Sequence, residues 1–162
     1  IGESLVSSAK VAAMILFIMA SSKLFSQLLA FTGGASAMTE WVVGLEQSRW
    51  VMLILLMLLP FVLCMFIDQI ALMLIVIPIY LPIIEELQFD PIWFWLLFLV
   101  NITVGGMTPP FGYTLFALKS AWEDASLGKV FSSAWPFVLL YLLGMIVLAL
   151  VPGLTTLLPS ML

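Results

Sequence analysis

Helix breakers and neutral oxygen donors are concentrated in one segment, NITVGGMTPPFG, from Asn101 to Gly112. Its two adjacent prolines lack amide protons and clash with the preceding turn, while its adjacent glycines permit any backbone shape. We therefore predict a helix that is interrupted between residues 105 and 110. Its first half should end in unbonded carbonyls, which suit a cation such as Na⁺, and its second half should start near Phe111 with unbonded amides, which suit an anionic group. The simpler alternative is a proline kink that only shapes packing.

A single acid lies within the long apolar run from Val51 to Ile84, and that acid is Asp68. An isolated carboxylate in hydrocarbon is costly, so we expect Asp68 to face a cavity, a partner or an ion, unless it lies in a solvated loop. The predicted Na⁺ ligands are Asp68, Asn101, Thr103, Gly105, Gly106 and Thr108. The residues assigned to the helix break or to the substrate are Met107, Pro109, Pro110, Phe111 and Gly112.

Lys23 is the other charge inside an apolar segment, in the stretch MASSKLF. One interpretation is that its long side chain extends to the membrane surface. The other is that Lys23 faces a substrate path, with Ser21 and Ser22 allowing close helix packing or a local kink. Both interpretations remain open from the sequence.

The composition indicates a membrane protein. Of the 162 residues, 64% are hydrophobic and 9% are charged, and the mean hydropathy is +1.27, whereas soluble domains have about 25% charged residues. No basic run is present to bind nucleic acid, and the absence of His beside a single Cys argues against His/Cys metal sites, disulfides and Cys–His catalysis. Aspartyl catalysis would need two facing carboxylates, so we do not expect an enzyme. The first residue is Ile, and we expect a piece of a longer membrane protein.

The hydrophobic segments predict an all-α membrane protein. We predict a helix over 9–45, distorted near residues 32–36, and a helical hairpin over 50–87 with its tip near Asp68. A helix over 91–125, broken at 105–110, and a final helix over 130–158 complete the chain. One helix from 51 to 84 would be about 51 Å long, against a hydrocarbon core of about 30 Å. Two short arms of a re-entrant hairpin fit better, and two tightly joined spans are the alternative.

The distribution of charge predicts the orientation. Lys10, Lys119 and Lys129 fall on one side, which we assign to the cytoplasm by the positive-inside rule. Five acids fall on the other side: Glu40, Glu46, Glu85, Glu86 and Asp90. Only Arg49 departs from the pattern, and the hairpin is predicted to open toward the outer face.

Several of these motifs resemble the large membrane subunit of TRAP transporters, the tripartite ATP-independent periplasmic transporters, over nearly the whole chain. The matching elements are Asp68 at a hairpin tip, PIYLPI at 78–83, the Asp90–Pro91 pair, and an N-x-x-x-G-x-x-T-P-P-x-G pattern. That pattern falls on Asn101, Gly105, Thr108, Pro109, Pro110 and Gly112. Cys64 stands where a glycine is often found four residues before the acid, which is a departure from the family pattern.

The resemblance implies the C-terminal part of such a subunit, that is, one repeat of an inverted-repeat, elevator-type transporter. It implies Na⁺-coupled uptake of a small organic acid across the bacterial inner membrane by a multi-pass protein, with Na⁺ as coupling ion and no other cofactor. The implied partners are a small membrane subunit, a periplasmic substrate-binding protein and the lipid bilayer. The alternative is another ion-coupled carrier of organic anions that works without a binding protein.

Overall fold

The computed structural model describes residues 2–109, 112–122 and 124–156, and every regular element within these ranges is an α-helix. The predicted all-α class is therefore confirmed. The helices are α1 (Gly2–Phe31), α2 (Gly34–Val43), α3 (Arg49–Cys64), α4 (Gln69–Glu86), α5 (Pro91–Met107), α6 (Tyr113–Ala121), α7 (Leu127–Leu150) and α8 (Gly153–Thr156).

Where one helix was predicted over 9–45, the structure has two, α1 and α2. They are bent by 76° at a break that includes Gly33, whose φ of 71° is a left-handed conformation that glycine adopts without a steric penalty. The distortion foreseen near residues 32–36 therefore separates two helices. The final segment also differs from prediction, because α7 ends at Leu150 and a short α8 follows Pro152.

The predicted hairpin corresponds to α3 and α4. Each arm begins with a capping side chain: Ser48 accepts a hydrogen bond from the amide of Val51, and Asp68 accepts from the first amides of α4. The hydroxyl of Tyr80 donates to the carbonyl of Leu56 at 3.0 Å. Leu56 precedes Asp68 by twelve residues and Tyr80 follows it by twelve, so the two arms run antiparallel around the turn at Asp68.

Helix α5 forms the centre of the core, packed against α3, α4 and α7. Its face toward the other helices is wholly apolar at Phe94, Leu97 and Phe98, each at most 1% exposed. The ring of Tyr80 meets Phe94 and Phe98 edge-on, at centroid distances of 6.3 and 6.1 Å. This geometry is one of the arrangements that aromatic pairs prefer, and it fixes the hairpin against α5.

Helix α7 runs antiparallel to α5 and extends further. The indole Nε1 of Trp93, near the start of α5, donates to the carbonyl of Leu148, near the end of α7, at 2.9 Å. At the other end, Phe116 of α6 meets Phe131 near the start of α7 at a centroid distance of 6.1 Å. Helices α5 and α6 therefore lie one after the other along a single α7.

Within the described residues, α4 and α7 are long and apolar enough to cross a membrane, and the bent α1–α2 pair would count as a third span if taken as one. Helices α3 and α5 are apolar but shorter, with 16 and 17 residues.

Candidate ion and substrate site at a helix break

Helix α5 ends at Met107, and a turn leads to α6 at Tyr113. Thr108 closes the end of α5 with two hydrogen bonds: its amide donates to the carbonyl of Gly105 at 3.1 Å, and its hydroxyl donates to the carbonyl of Val104 at 2.6 Å. The amide of Gly112 then donates to the carbonyl of Thr108 at 3.2 Å. These hydrogen bonds of Thr108 and Gly112 therefore flank the two prolines, and α5 ends just before them.

The carbonyls at the end of α5 differ from the sequence-based expectation. Gly105 and Gly106 were predicted to offer unbonded carbonyls, but Gly105 accepts from the Thr108 amide and Gly106 accepts from the hydroxyl of Thr114 at 3.1 Å. The reason is that the last turn tightens and a hydroxyl from α6 folds back over it, which are common ways to satisfy orphan carbonyls. Within the described residues, the carbonyl that accepts no hydrogen bond at this helix end is that of Met107.

The start of α6 has the opposite polarity. The amides of Tyr113 and Thr114 donate no hydrogen bond within the part of the chain that the structure describes, and the N-cap residue Gly112 has no side chain to cap them. A methyl group on Gly112 would stand 2.9 Å from the carbonyl carbon of Met107. Because the two helix ends approach this closely, the Met107 carbonyl and the amides of Tyr113 and Thr114, which have no hydrogen bond within the described residues, lie on either side of one short turn.

Three other predicted ligands lie on α5 or cap its end. Asn101 is 2% exposed, and its Nδ2 donates to the carbonyl of Met57 at 2.7 Å, which ties α5 to α3. The hydroxyl of Thr103 donates to the carbonyl of Leu99 within its own helix at 2.8 Å. Thr108 is 2% exposed, and because its hydroxyl donates to Val104, its oxygen lone pairs remain able to bind a cation.

Asp68 is exposed at the turn between α3 and α4. Its Oδ1 accepts from the amides of Ile70 and Ala71 at 3.0 and 3.1 Å, so the side chain caps α4. Capping of α4 is therefore one reason for an acid at this position in an apolar run, and this role requires no bound ion. The second carboxylate oxygen makes no hydrogen bond within the described residues, and its negative charge is retained beside the turn.

The end of α3 packs directly against the end of α5. A methyl group on Gly105 would stand 2.7 Å from the carbonyl oxygen of Phe61 and 2.8 Å from the Cβ of Cys64. Only glycine allows this approach. Cys64, at the position where the family pattern has a glycine, is 1% exposed and fills the contact. The turn at Asp68, four residues further on, therefore lies near the break in α5.

Starting from the contact between Trp93 and Leu148, α5 ends before it reaches the level of Phe131 at the start of α7. From Trp93 to Gly105, α5 advances by about 18 Å, whereas α7 extends by about 26 Å between Leu148 and Phe131. The α3–α4 turn follows Cys64, which contacts Gly105, so the turn also lies before the level of Phe131. Helix α6 spans the distance from the end of α5 to Phe131. Helix α4 by itself is long and apolar enough to cross a bilayer, so the re-entrant hairpin stays a prediction.

The candidate substrate path lies on α1, which packs against α4. The Ser22 hydroxyl donates to the carbonyl of Leu74 in α4, whereas Ser21 and Lys23 are exposed. Pro109 is half-buried in the turn, and Pro110 and Phe111 lie outside the described residues.

Two contacts at the site were missed by sequence reasoning. Thr114 was not singled out, although a Thr in the first turn of a helix often bonds a neighbouring backbone group. The pairing of Ser22 with Leu74 had no local signal, because the two residues are 52 positions apart. Among the described residues, no group of three His, Cys, Asp or Glu side chains could hold a metal ion, so a cation here would depend on backbone and hydroxyl oxygens.

Comparison with known proteins identifies relatives along most of the chain. A family profile described as "Tripartite ATP-independent periplasmic transporter, DctM component" matches residues 1–154. The chain is 32% identical over 158 residues to the C4-dicarboxylate TRAP transporter large permease protein DctM of Rhodobacter capsulatus, covering 98% of this chain and 36% of that relative. The protein of the same name from Pseudomonas aeruginosa is 32% identical over 156 residues, with 96% of this chain and 36% of the relative covered.

A third relative is the isethionate TRAP transporter permease protein DctMQ of Oleidesulfovibrio alaskensis, 24% identical over 151 residues, which cover 93% of this chain and 24% of the relative. No solved structure matches the chain. The chain spans 36% of the length of the two dicarboxylate permeases that it matches. Because the family profile extends over nearly all of its residues and these relatives are named permeases, the chain belongs to the DctM component family of tripartite ATP-independent periplasmic transporters.

Proposed function

We propose that the protein containing this chain takes up a small organic acid by secondary transport coupled to Na⁺, across the bacterial inner membrane. It receives its substrate from a periplasmic binding protein and works with a small membrane subunit. The observation that carries the proposal is the break between α5 and α6, where a carbonyl and two amides that have no hydrogen bond within the described residues lie on either side of one turn. Interrupted helices at membrane depth are how many secondary transporters bind ions and substrates.

The cation side of the proposed site consists of the Met107 carbonyl, the Thr108 hydroxyl and the charge of Asp68. Oxygen atoms are the ligands that hard cations accept, and Thr108 supplies one from a nearly fully buried position. Asp68 supplies the negative charge that would balance the ion near the turn. Asn101 acts indirectly, because its amide nitrogen fixes α5 to α3 and so holds the break beside the hairpin.

The anion side is the start of α6. The amides of Tyr113 and Thr114 and the positive end of the helix favour a carboxylate or another anionic group. The names of the relatives fit this class, since they include a C4-dicarboxylate and an isethionate transporter. Bound Na⁺ beside the anion would raise the affinity for it, which gives coupling between the two ligands.

The test measures Na⁺ binding without needing the substrate. The thermal unfolding of the full-length permease would be followed over an NaCl series, with KCl keeping the ionic strength constant. We expect Na⁺, and not K⁺, to raise the unfolding temperature, since a ligand that binds only the folded state at about 100 times its Kd stabilises it by about 2.7 kcal/mol. An equal response to K⁺ would reject Na⁺ coupling at this site.

Variants then locate the ion. Asp68→Asn retains the cap of α4, because Asn caps helices as well as Asp does, but it removes the charge, so the Na⁺-dependent shift should be lost while the protein stays folded. Pro109→Ala combined with Pro110→Ala should make the helix more continuous, since each proline costs about 3 kcal/mol relative to Ala in a helix interior. If this double variant retains the full Na⁺ response, the prolines only shape packing.

Uptake of a labelled C4-dicarboxylate into proteoliposomes tests the transport step. We expect uptake to require both an inward Na⁺ gradient and the binding protein. Uptake that proceeds equally well without the binding protein would instead support a carrier that works alone.

A further inference from the structure

Arg49 is the cation that departs from the charge pattern, and the structure places it at the first position of α3. Its Nη2 donates to the carbonyl of Gln88 at 2.9 Å, and its guanidinium carbon lies 4.7 Å from the centre of the Phe89 ring. The side chain is exposed, and within the described residues one hydrogen bond uses one of the five N–H donors of the guanidinium. Arg49 is therefore held in place by its contacts with Gln88 and Phe89, and its remaining N–H groups are able to bind a ligand.

The guanidinium lines a cavity of about 240 Å³, together with Trp50, Asp90 and Trp93. Asp90 caps α5, with its Oδ1 accepting from the amide of Trp93 at 2.8 Å, and its other carboxylate oxygen has no partner within the described residues. Neither Arg49 nor Asp90 forms an ion pair in the part of the chain that the structure describes. One small cavity therefore presents a positive group and a negative group that do not neutralise each other.

An apolar groove of about 420 Å³ adjoins this cavity and shares Trp50 with it. Helices α3, α5 and α7 form its walls, with Leu53, Met57 and Met145 among the lining residues. The one polar residue in the lining is Asn101, whose amide nitrogen is already bonded to the Met57 carbonyl. Apolar side chains make up most of the lining, so the groove suits a hydrocarbon.

The length of the groove matches one leaflet of a bilayer. Along α3 it runs from Trp50 to Phe61, about 17 Å, and half of a hydrocarbon core is about 15 Å. Its outer end opens at Trp50, beside Arg49, where the acidic outer surface begins. An acyl chain that enters from the outer leaflet would fill the groove with its headgroup at the charged cavity.

We propose that this groove and cavity bind one phospholipid of the outer leaflet, of the zwitterionic class with a primary ammonium headgroup. Its phosphate meets the Arg49 guanidinium, which binds phosphate oxygens well, and its ammonium meets the free oxygen of Asp90. One acyl chain lies between α3, α5 and α7. This proposal is separate from Na⁺ coupling, because the headgroup contacts of Arg49 and Asp90 involve none of the predicted Na⁺ ligands; among the described residues, Asn101 is the one predicted ligand that lines the groove.

The surrounding charges favour this class over an anionic lipid. Glu46 lies in the segment just before α3, and Glu85 and Glu86 lie at the end of α4, shortly before Asp90; these charges would repel a headgroup with a net negative charge. A zwitterionic headgroup carries no net charge and matches the local pair of opposite charges. A choline headgroup has a positive charge but no N–H donor, so it would make a weaker contact with the carboxylate.

The test is native mass spectrometry of the full-length permease, delipidated in detergent and titrated with phosphatidylethanolamine or phosphatidylcholine. Arg49→Gln removes the phosphate contact, and we expect it to weaken phosphatidylethanolamine binding by about tenfold or more, as expected for a hydrogen bond to a charged group. Ala149→Phe fills the groove without touching the headgroup cavity and should produce a similar loss. Lys129→Gln removes an exposed cation at the start of α7, outside both the groove and the cavity, and serves as the matched control with wild-type binding.

Three results would overturn the proposal. The first is equal binding by the wild type, Arg49→Gln and Ala149→Phe, with each variant shown to be folded by its unfolding temperature. The second is equal affinity for phosphatidylcholine, which would reject the ammonium–Asp90 contact. The third is a cross-link from a photoreactive residue at Met145 to another part of the permease, which would show that protein and not lipid covers the groove.

Discussion

Two of the helix breaks in the described residues, one around Gly33 and one just after Gly105, each lie beside adjacent glycines and a threonine. In each, the threonine hydroxyl donates to the carbonyl four residues earlier: Thr32 to Leu28 at 2.7 Å and Thr108 to Val104 at 2.6 Å. Their surroundings differ, because Thr32 is exposed and Thr108 is 2% exposed. The same residue types therefore serve one break at a surface and another inside the core.

The glycines also serve different purposes. Gly33 has a φ of 71°, and a methyl group there would meet no atom within 4 Å, so the residue is needed for its backbone conformation. Gly105 lies inside α5, where a methyl group would stand 2.7 Å from the Phe61 carbonyl oxygen, so that residue is needed for space. A glycine near a helix end can therefore be required either by a left-handed backbone conformation or by close contact with a residue far away in the sequence.

The largest effect is expected for Gly105→Ala. The added methyl group forces α3 and α5 apart, and overpacking of this kind typically costs about 1–3 kcal/mol. The matched control is Gly144→Ala in α7, where a methyl group would meet nothing within 4 Å and Ala would favour the helix by up to about 1 kcal/mol. The measurement is the unfolding free energy of the full-length permease in detergent. Equal stability of both variants would show that α3 and α5 do not approach closely.

A smaller effect is expected for Gly33→Ala, because the left-handed conformation costs a residue with a Cβ about 1–2 kcal/mol. Gly33→Asn should cost less, since Asn visits this conformation more readily. The same unfolding measurement checks both variants. If Ala and Asn have equal effects, the bend between α1 and α2 does not depend on a positive φ at this position.

The smallest effect separates the two threonines. Thr108→Val removes a buried hydroxyl with little change of shape and should cost about 1 kcal/mol in stability and reduce the Na⁺-dependent rise in unfolding temperature. Thr32→Val removes an exposed hydroxyl and should stay within about 0.5 kcal/mol of the wild type, with the Na⁺ response unchanged. A loss of the Na⁺ response in Thr32→Val, or its full retention in Thr108→Val, would contradict the assignment of the ion to the second break.

Much of the framework could be predicted from short stretches of sequence. Asp68 in the middle of an apolar run marked the turn between α3 and α4, because a charge is costly in hydrocarbon. The prolines at 109 and 110 marked the end of α5, since proline removes a donor and clashes with the preceding turn. The separation of α1 from α2 was only partly foreseen, because a Gly–Gly pair permits a break without requiring one.

The atoms available at the candidate site could not be predicted in the same way. The carbonyl of Gly106 was expected to be unbonded, but the Thr114 hydroxyl reaches it across the turn. The cap that Asp68 provides to α4 was likewise not foreseen, and it gives this acid a structural role beside its proposed one. Both outcomes depend on where a side chain points after the helix has ended.

The sequence by itself determined that this chain suits a bilayer, that helices end near Asp68 and near the two prolines, and which residue types surround these breaks. Those features follow from local chemistry: side-chain hydropathy, the missing amide proton of proline and the freedom of glycine. Only the tertiary structure decided which break lies in the core, which carbonyl stays unbonded, and that Arg49 and Asp90 share a cavity above an apolar groove. These depend on contacts between residues far apart in the chain, such as Phe61 with Gly105, and no local pattern encodes such distances.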